Sequence, residues 1–159
     1  MGDFIVKIGI IIYSQTEHTY SVAQKLQDEL IASGHDAMLK RIITTEDSVP
    51  GAKNIEFKSQ PDVDLYDALI FGAPVHAFSL APPMKAYMEQ IKSLENKRVA
   101  CFVTKGAPFH WTGGNQAVAK MKKICKSKGA SVMATGIIVW RGNREKEITN
   151  FVNKFANMY

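Results

Sequence analysis

The chain has only two cysteines, Cys101 and Cys125, and no CxxC pair. A disulfide framework and a cysteine-based zinc site are thereby excluded. Cys101 sits in the apolar run Val99 to Val103 and reads as core, and Cys125 reads as structural although Lys122, Lys123 and Lys126 surround it. No metal site is expected. No apolar run approaches the roughly 20 residues that span a bilayer, so no membrane insertion is expected. Met1 to Lys7 lacks the basic start and cleavage site of a secretory signal, and Val6 stands where N-myristoylation needs a hydroxyl. A cytoplasmic location is the expectation. GxGxxG and GxxxxGK[ST] are absent, which argues against a Rossmann dinucleotide site and a P-loop nucleotidase. A phosphorylation receiver needs acids after the first strand, an Asp after the third and a Lys after the fifth. Those places hold Tyr13-Ser14, Gly72-Ala73 and Val139-Trp140.

Acidic residues are also in the minority, at 15 against 20 Lys and Arg, leaving a formal charge of +5. Neither a helix-turn-helix pattern nor zinc-finger spacing accompanies this charge, so nucleic-acid binding is not expected. The lysines crowd one segment, Lys120, Lys122, Lys123, Lys126 and Lys128. A solvated helix face is the ordinary reading; steering of acidic redox partners is the alternative. No repeat, low-complexity tract or linker divides the 159 residues, so one domain over 1–159 is expected.

What is present is alternation. Phe4 to Tyr13 reads as a strand buried on both faces, followed by a helix with Val22, Leu26 and Leu30 inward and Gly34 as its stop. Ala37 to Ile43 suits an edge strand. The stretch from Thr44 to Asp67 is loop-rich, with room for one short helix. Ala68 to Phe71 is a short buried strand, and Pro82-Pro83 open a helix with Met84, Tyr87, Ile91 and Leu94 inward. Val99 to Val103 is the fourth strand, followed by a helix lined by Val118, Met121 and Ile124. Val132 to Val139 is the fifth strand, and Ile148, Phe151, Val152 and Phe155 line the last helix. The pattern predicts an α/β fold, a three-layer α/β/α sandwich with right-handed crossovers around a parallel sheet of five strands.

Ligands bind such sheets at the carboxyl ends of the strands. Three loops fall there. The first, Ser14-Gln15-Thr16-Glu17-His18-Thr19, sets hydroxyls at a helix start, where unpaired N–H groups and the dipole favour an anion. The same hydroxyls serve equally as helix caps. The second, Pro74-Val75-His76-Ala77-Phe78 and on to Leu80, is apolar with one polar ring. The third runs from Thr104-Lys105-Gly106 through Phe109, His110 and Trp111 to Thr112-Gly113-Gly114, aromatic surface beside closely approachable backbone. A flat, phosphorylated ring system suits one phosphate site beside two aromatic-bearing loops.

At these residues the chain resembles the flavodoxin family and its flavin-mononucleotide-dependent reductase relatives. Ser14 to Thr19 is similar to the family's phosphate loop. Phe71-Gly72-Ala73-Pro74 with Pro83-Met84-Lys85-Ala86-Tyr87, and Thr112-Gly113-Gly114-Asn115-Gln116, resemble segments of quinone-reductase-like members. The resemblance covers nearly the whole chain. It implies the strand order 2-1-3-4-5 and noncovalent FMN, with the first loop on the phosphate and the other two flanking the flavin ring. Two departures stand out: Glu17 occupies a position where glycine is common, and Val75-His76-Ala77-Phe78 contains no glycine.

The resemblance implies electron transfer through the flavin. The partners are then either NAD(P)H with a quinone or similar small acceptor, or a redox partner protein served by a one-electron carrier. A flavin-free interaction module on the same fold is the reading of a different class. Oligomeric state, and the choice between carrier and reductase, stay open at this stage.

Overall fold

The computed structural model describes residues 5–15, 17–46, 53–76, 78–106, 113–140 and 144–156. Thr16, Ala77, Phe109, His110, Trp111 and Thr112 lie outside the described residues. Strand β1 (Lys7–Ile12) is followed by α1 (Glu17–Ala32), β2 (Asp36–Arg41), β3 (Ile43–Thr44) and β4 (Phe57–Ser59). Then come β5 (Ala68–His76), β6 (Ser79–Leu80), α2 (Pro82–Gln90), β7 (Arg98–Lys105), α3 (Gly114–Ser127), β8 (Ser131–Val139) and α4 (Arg144–Ala156).

The main sheet runs β2-β1-β5-β7-β8, all parallel, with β6 paired antiparallel to β5. Ignoring the short strands, this is the expected 2-1-3-4-5 order. Alternation along each strand divides the core in two. Ile8, Ile10 and Ile12 of β1, with Ile70 and Phe102, meet Val22, Leu26 and Leu30 of α1 and Ile148, Phe151 and Phe155 of α4. Ile11, Leu69, Phe71 and Val103 meet Met84 and Tyr87 of α2, and Val118 and Met121 of α3. Each fully buried large side chain contributes about 1.5–3 kcal/mol of transfer free energy. Cys101 and Cys125 join the second core as free thiols with sulfurs 3.9 Å apart. The hydrogen bond to Cys125, then burial, raises the Cys101 thiol pKa, so it packs as a small apolar group.

Three expectations are corrected. The third main strand does not stop at Phe71 but continues to His76, because β6 folds back and pairs Val75 with Leu80 and His76 with Ser79. Helix α2 ends at Gln90; Ile91 is extended, so Ile91 and Leu94 are buried from a loop and not from a helix face. Between Thr44 and Asp67 the described residues hold no helix, only the antiparallel pair β3–β4. Among the described residues no helix is long and apolar enough to cross a membrane.

Gly72 illustrates how tightly the sheet is covered: a Cβ there would overlap the Phe102 ring. Gly72→Ala is therefore expected to destabilise the protein by about 1–3 kcal/mol through overpacking. Adding Phe102→Leu should recover part of that loss. Urea unfolding of the single and double variants measures both, and additive losses would contradict the clash.

Candidate functional site

The strand order reverses between β1 and β5, so the carboxyl ends of these strands flank the switch point where open α/β sheets bind ligands. Beyond β1, Tyr13 N–H still donates to Gly72 C=O at 3.0 Å. Ser14 is half-buried and Gln15 exposed. Arg41, the last residue of β2, donates to the Ser14 carbonyl at 3.3 Å while its guanidinium lies 4.9 Å from the Tyr20 ring centre. The loop backbone is thus held from the side. Glu17, His18 and Thr19 form the first turn of α1, whose N–H groups have no intrahelical acceptor. Glu17 is exposed, helical and not at positive φ, so no glycine is needed at that position. Its carboxylate complements the helix dipole.

Thr19 is 1% exposed, and its hydroxyl meets that of Thr104, also buried, at 2.8 Å. One hydroxyl donates and the other keeps its own hydrogen for a further acceptor. If Thr104 donates, Thr19 presents a polarised O–H at the helix start. The neighbouring His18 ring stacks on Trp140 with centres 3.9 Å apart and planes 16° apart. Trp140 N–H donates to the Lys105 carbonyl at 2.7 Å, and Val139 N–H to Glu147 Oε2 at 2.7 Å. The start of α1 is therefore fastened to the ends of β7 and β8.

Pro74, Val75 and His76, expected in a loop, are half-buried residues of β5. The turn to β6 places Phe78 at φ +65° with 63% of its surface exposed. Gly113 caps α3 at φ +108°, and a Cβ on it would overlap the Phe78 backbone. Both the left-handed conformation and the close approach call for glycine there. His76 meets the Tyr13 ring edge-on at 6.4 Å, and its Nδ1 is buried with no hydrogen-bond partner among the described residues. Thr104 and Lys105 belong to β7 and not to the loop; Gly106 is exposed and Gly114 buried. Lys105 is only 7% exposed, and burial lowers its amine pKa from 10.5.

Three contacts thus join the three segments pairwise. Tyr13 with His76 links the first to the second, Phe78 with Gly113 the second to the third, and Thr19 with Thr104 the third to the first. Sequence reading gave neither Arg41 nor Trp140 a place at the site, because nothing in a strand-end arginine or tryptophan signals which loop it will meet. Among the described residues no group of three or more His, Cys, Asp and Glu side chains could hold a metal ion.

Burial pushes the His76 imidazole below its ordinary pKa of 6.5. Below that pH the unfolded chain takes up a proton that the folded ring resists. Stability is therefore undiminished above pH 6.5 and falls as the pH drops from there toward the folded value. His76→Gln should reduce the difference between urea midpoints at about pH 7.5 and about pH 5.5. An unchanged difference would show that another group controls the acid limb.

A family model for the flavodoxin domain matches residues 10–136. No curated protein matches the chain in sequence. Among solved structures, oxidised flavodoxin 2 from Bacillus cereus is similar at a TM-score of 0.72 and 19% identity, over 96% of this chain and 99% of that one. A flavoprotein from Lactobacillus acidophilus NCFM, in complex with FMN, is similar at 0.66 and 21% identity, over 92% and 98%. A Fusobacterium nucleatum flavodoxin mutant bound to flavin mononucleotide is similar at 0.66 and 16% identity, over 99% of each chain. With the family model spanning most of the chain and the same sheet order in place, the protein belongs to the flavodoxin domain family.

Proposed function

We propose that this chain binds FMN noncovalently at the carboxyl edge of the sheet and transfers electrons through it. The observation that carries the reading is the pairwise joining of three segments around an anion-ready helix start at the switch point. FMN in two structural neighbours supports the choice of ligand. When bound, the flavin supplies the redox chemistry, and the chain's own residues position it.

The residues present suit that ligand. Ser14, with Gln15, Thr16, Glu17, His18 and Thr19, supplies hydroxyls and first-turn N–H groups for the phosphate. The Thr19–Thr104 pair orients one of those hydroxyls from behind. His76 Nδ1, buried and without a partner among the described residues, offers a hydrogen-bonding atom to a polar group of the ring. Pro74, Val75 and Phe78 on one side, and Gly106, Gly113 and Gly114 on the other, form the two flanking segments; Ala77 and Trp111, expected to join them, lie outside the described residues. Phe78 is held in place by the backbone contact that Gly113 permits. Lys105 brings positive charge to this edge, which favours added negative charge on a neighbouring ligand. That charge favours an NAD(P)H-dependent reductase of a quinone or similar acceptor over a low-potential one-electron carrier. One domain, a cytoplasmic setting and no dependence on metal complete the reading.

Ser14→Ala is expected to weaken FMN binding by about 1–3 kcal/mol, as for a lost hydrogen bond to a charged group, and Thr104→Val, which only removes the partner that orients the Thr19 hydroxyl, by less. Riboflavin, which lacks the phosphate, should lose much less. Fluorescence titration of both ligands measures the difference; equal losses would mean damage to the fold, and no binding of either ligand would sink the assignment.

NAD(P)H oxidation by the flavin-loaded protein, with and without a quinone, separates the two redox roles. Quinone-dependent oxidation is expected. Its absence, with FMN bound, would assign the carrier role.

A further inference from the structure

Helix α3 carries Lys120, Lys122, Lys123 and Lys126 and no acidic residue. All four are exposed, while Ala117, Val118, Met121 and Cys125 face the sheet. Lys120 with Lys123, Lys123 with Lys126, and Lys122 with Lys126 are each one helical turn apart, where like charges are destabilising. No intramolecular partner offsets this among the described residues, whose ion pairs are Lys25–Glu145 and Lys85–Glu89. On the other side of the sheet, α1 and α4 mix both signs. The excess positive charge of the chain is therefore concentrated on one helix.

That helix adjoins the candidate site. Gly114 starts it, against Lys105 and beside the Phe78 turn, and Lys120 lies six residues on, about 9 Å along the axis. The rest of the outward face is Asn115, Gln116, Ala119 and Ser127, with no arginine, aromatic or large aliphatic residue. A nucleic-acid surface would use guanidinium forks or stacking rings, and a membrane surface an apolar stripe. Exposed lysines alone supply diffuse positive charge, the chemistry of steered and short-lived protein encounters.

We infer that the outward face of α3 is the docking surface for an acidic protein that exchanges electrons at the adjoining site. The inference rests on the redox reading above. The lysines act by steering and orienting the partner, with the exposed site edge left free for electron exchange.

The test uses the FMN-loaded protein and the soluble domain of cytochrome b5, an acidic haem protein, with basic cytochrome c as control. Binding is followed by biolayer interferometry, and haem reduction by the pre-reduced protein is followed by absorbance. Lys122→Glu/Lys123→Glu/Lys126→Glu and the corresponding triple Gln variant should slow cytochrome b5 reduction about tenfold at low salt and remove most of its salt dependence. Both should leave FMN affinity and the circular dichroism spectrum intact, and cytochrome c reduction undiminished. The triple Arg variant should behave as the unaltered protein. Equal rates for all variants would overturn the proposal. So would tighter, α3-dependent binding to phosphatidylserine vesicles or duplex DNA than to cytochrome b5. Binding is also read without FMN, so a failure of flavin loading is distinguishable from a failure of the docking surface.

Discussion

Strand β1 lies inside the sheet, between β2 and β5, with every residue from Ile8 to Ile12 buried, and covering both its faces organises the rest of the molecule. Its odd and even positions drain into two separate cores. Gly9 leaves room for the Tyr66 ring, which a Cβ would approach to 2.6 Å. A strand hidden in this way needs neighbours on both edges and helices on both faces. Parallel neighbours require long crossovers, which the helices provide. One consequence is chemical: all five main strands end at the same edge, so each strand-to-helix connection delivers its residues to one place.

At that edge the protein spends its polar side chains on fastening loops to each other. The Thr19–Thr104 hydroxyl pair is buried between α1 and β7, and the His18–Trp140 stack ties the same helix start to β8. Arg41 holds the Ser14 carbonyl from β2. Groups held in position by such bracing lose less entropy when they bind a ligand. His76 differs, because its Nδ1 is buried with no partner among the described residues and its pKa is drawn down by desolvation.

The chain shows two kinds of departure from expectation, each with a local cause. The segment Pro74 to Phe78 looked like a loop because Pro74 and the mixed residues after it break the apolar run. Pairing of His76 with Ser79 turned it into a hairpin, and that pairing depends on a contact three residues ahead that strand propensity alone does not register. Ile91 and Leu94 continue a helical spacing, yet Ile91 turns extended and its N–H bonds only to Met88 C=O. Burial from a loop and burial from a helix leave the same apolar pattern.

The element types, their order, the two-sided burial of β1 and the placing of hydroxyl residues around the start of α1 were legible in the residues themselves. Each depends on neighbours close in sequence: branched runs, helical spacing, stop glycines and hydroxyls at a helix start. Three other features depend on residues far apart in the chain: Thr19 with Thr104, Phe78 with Gly113, and His18 with Trp140. No periodicity encodes a pairing across so many residues. Those contacts exist because parallel strands bring their ends to a common edge, and only the folded sheet decides which side chains meet there.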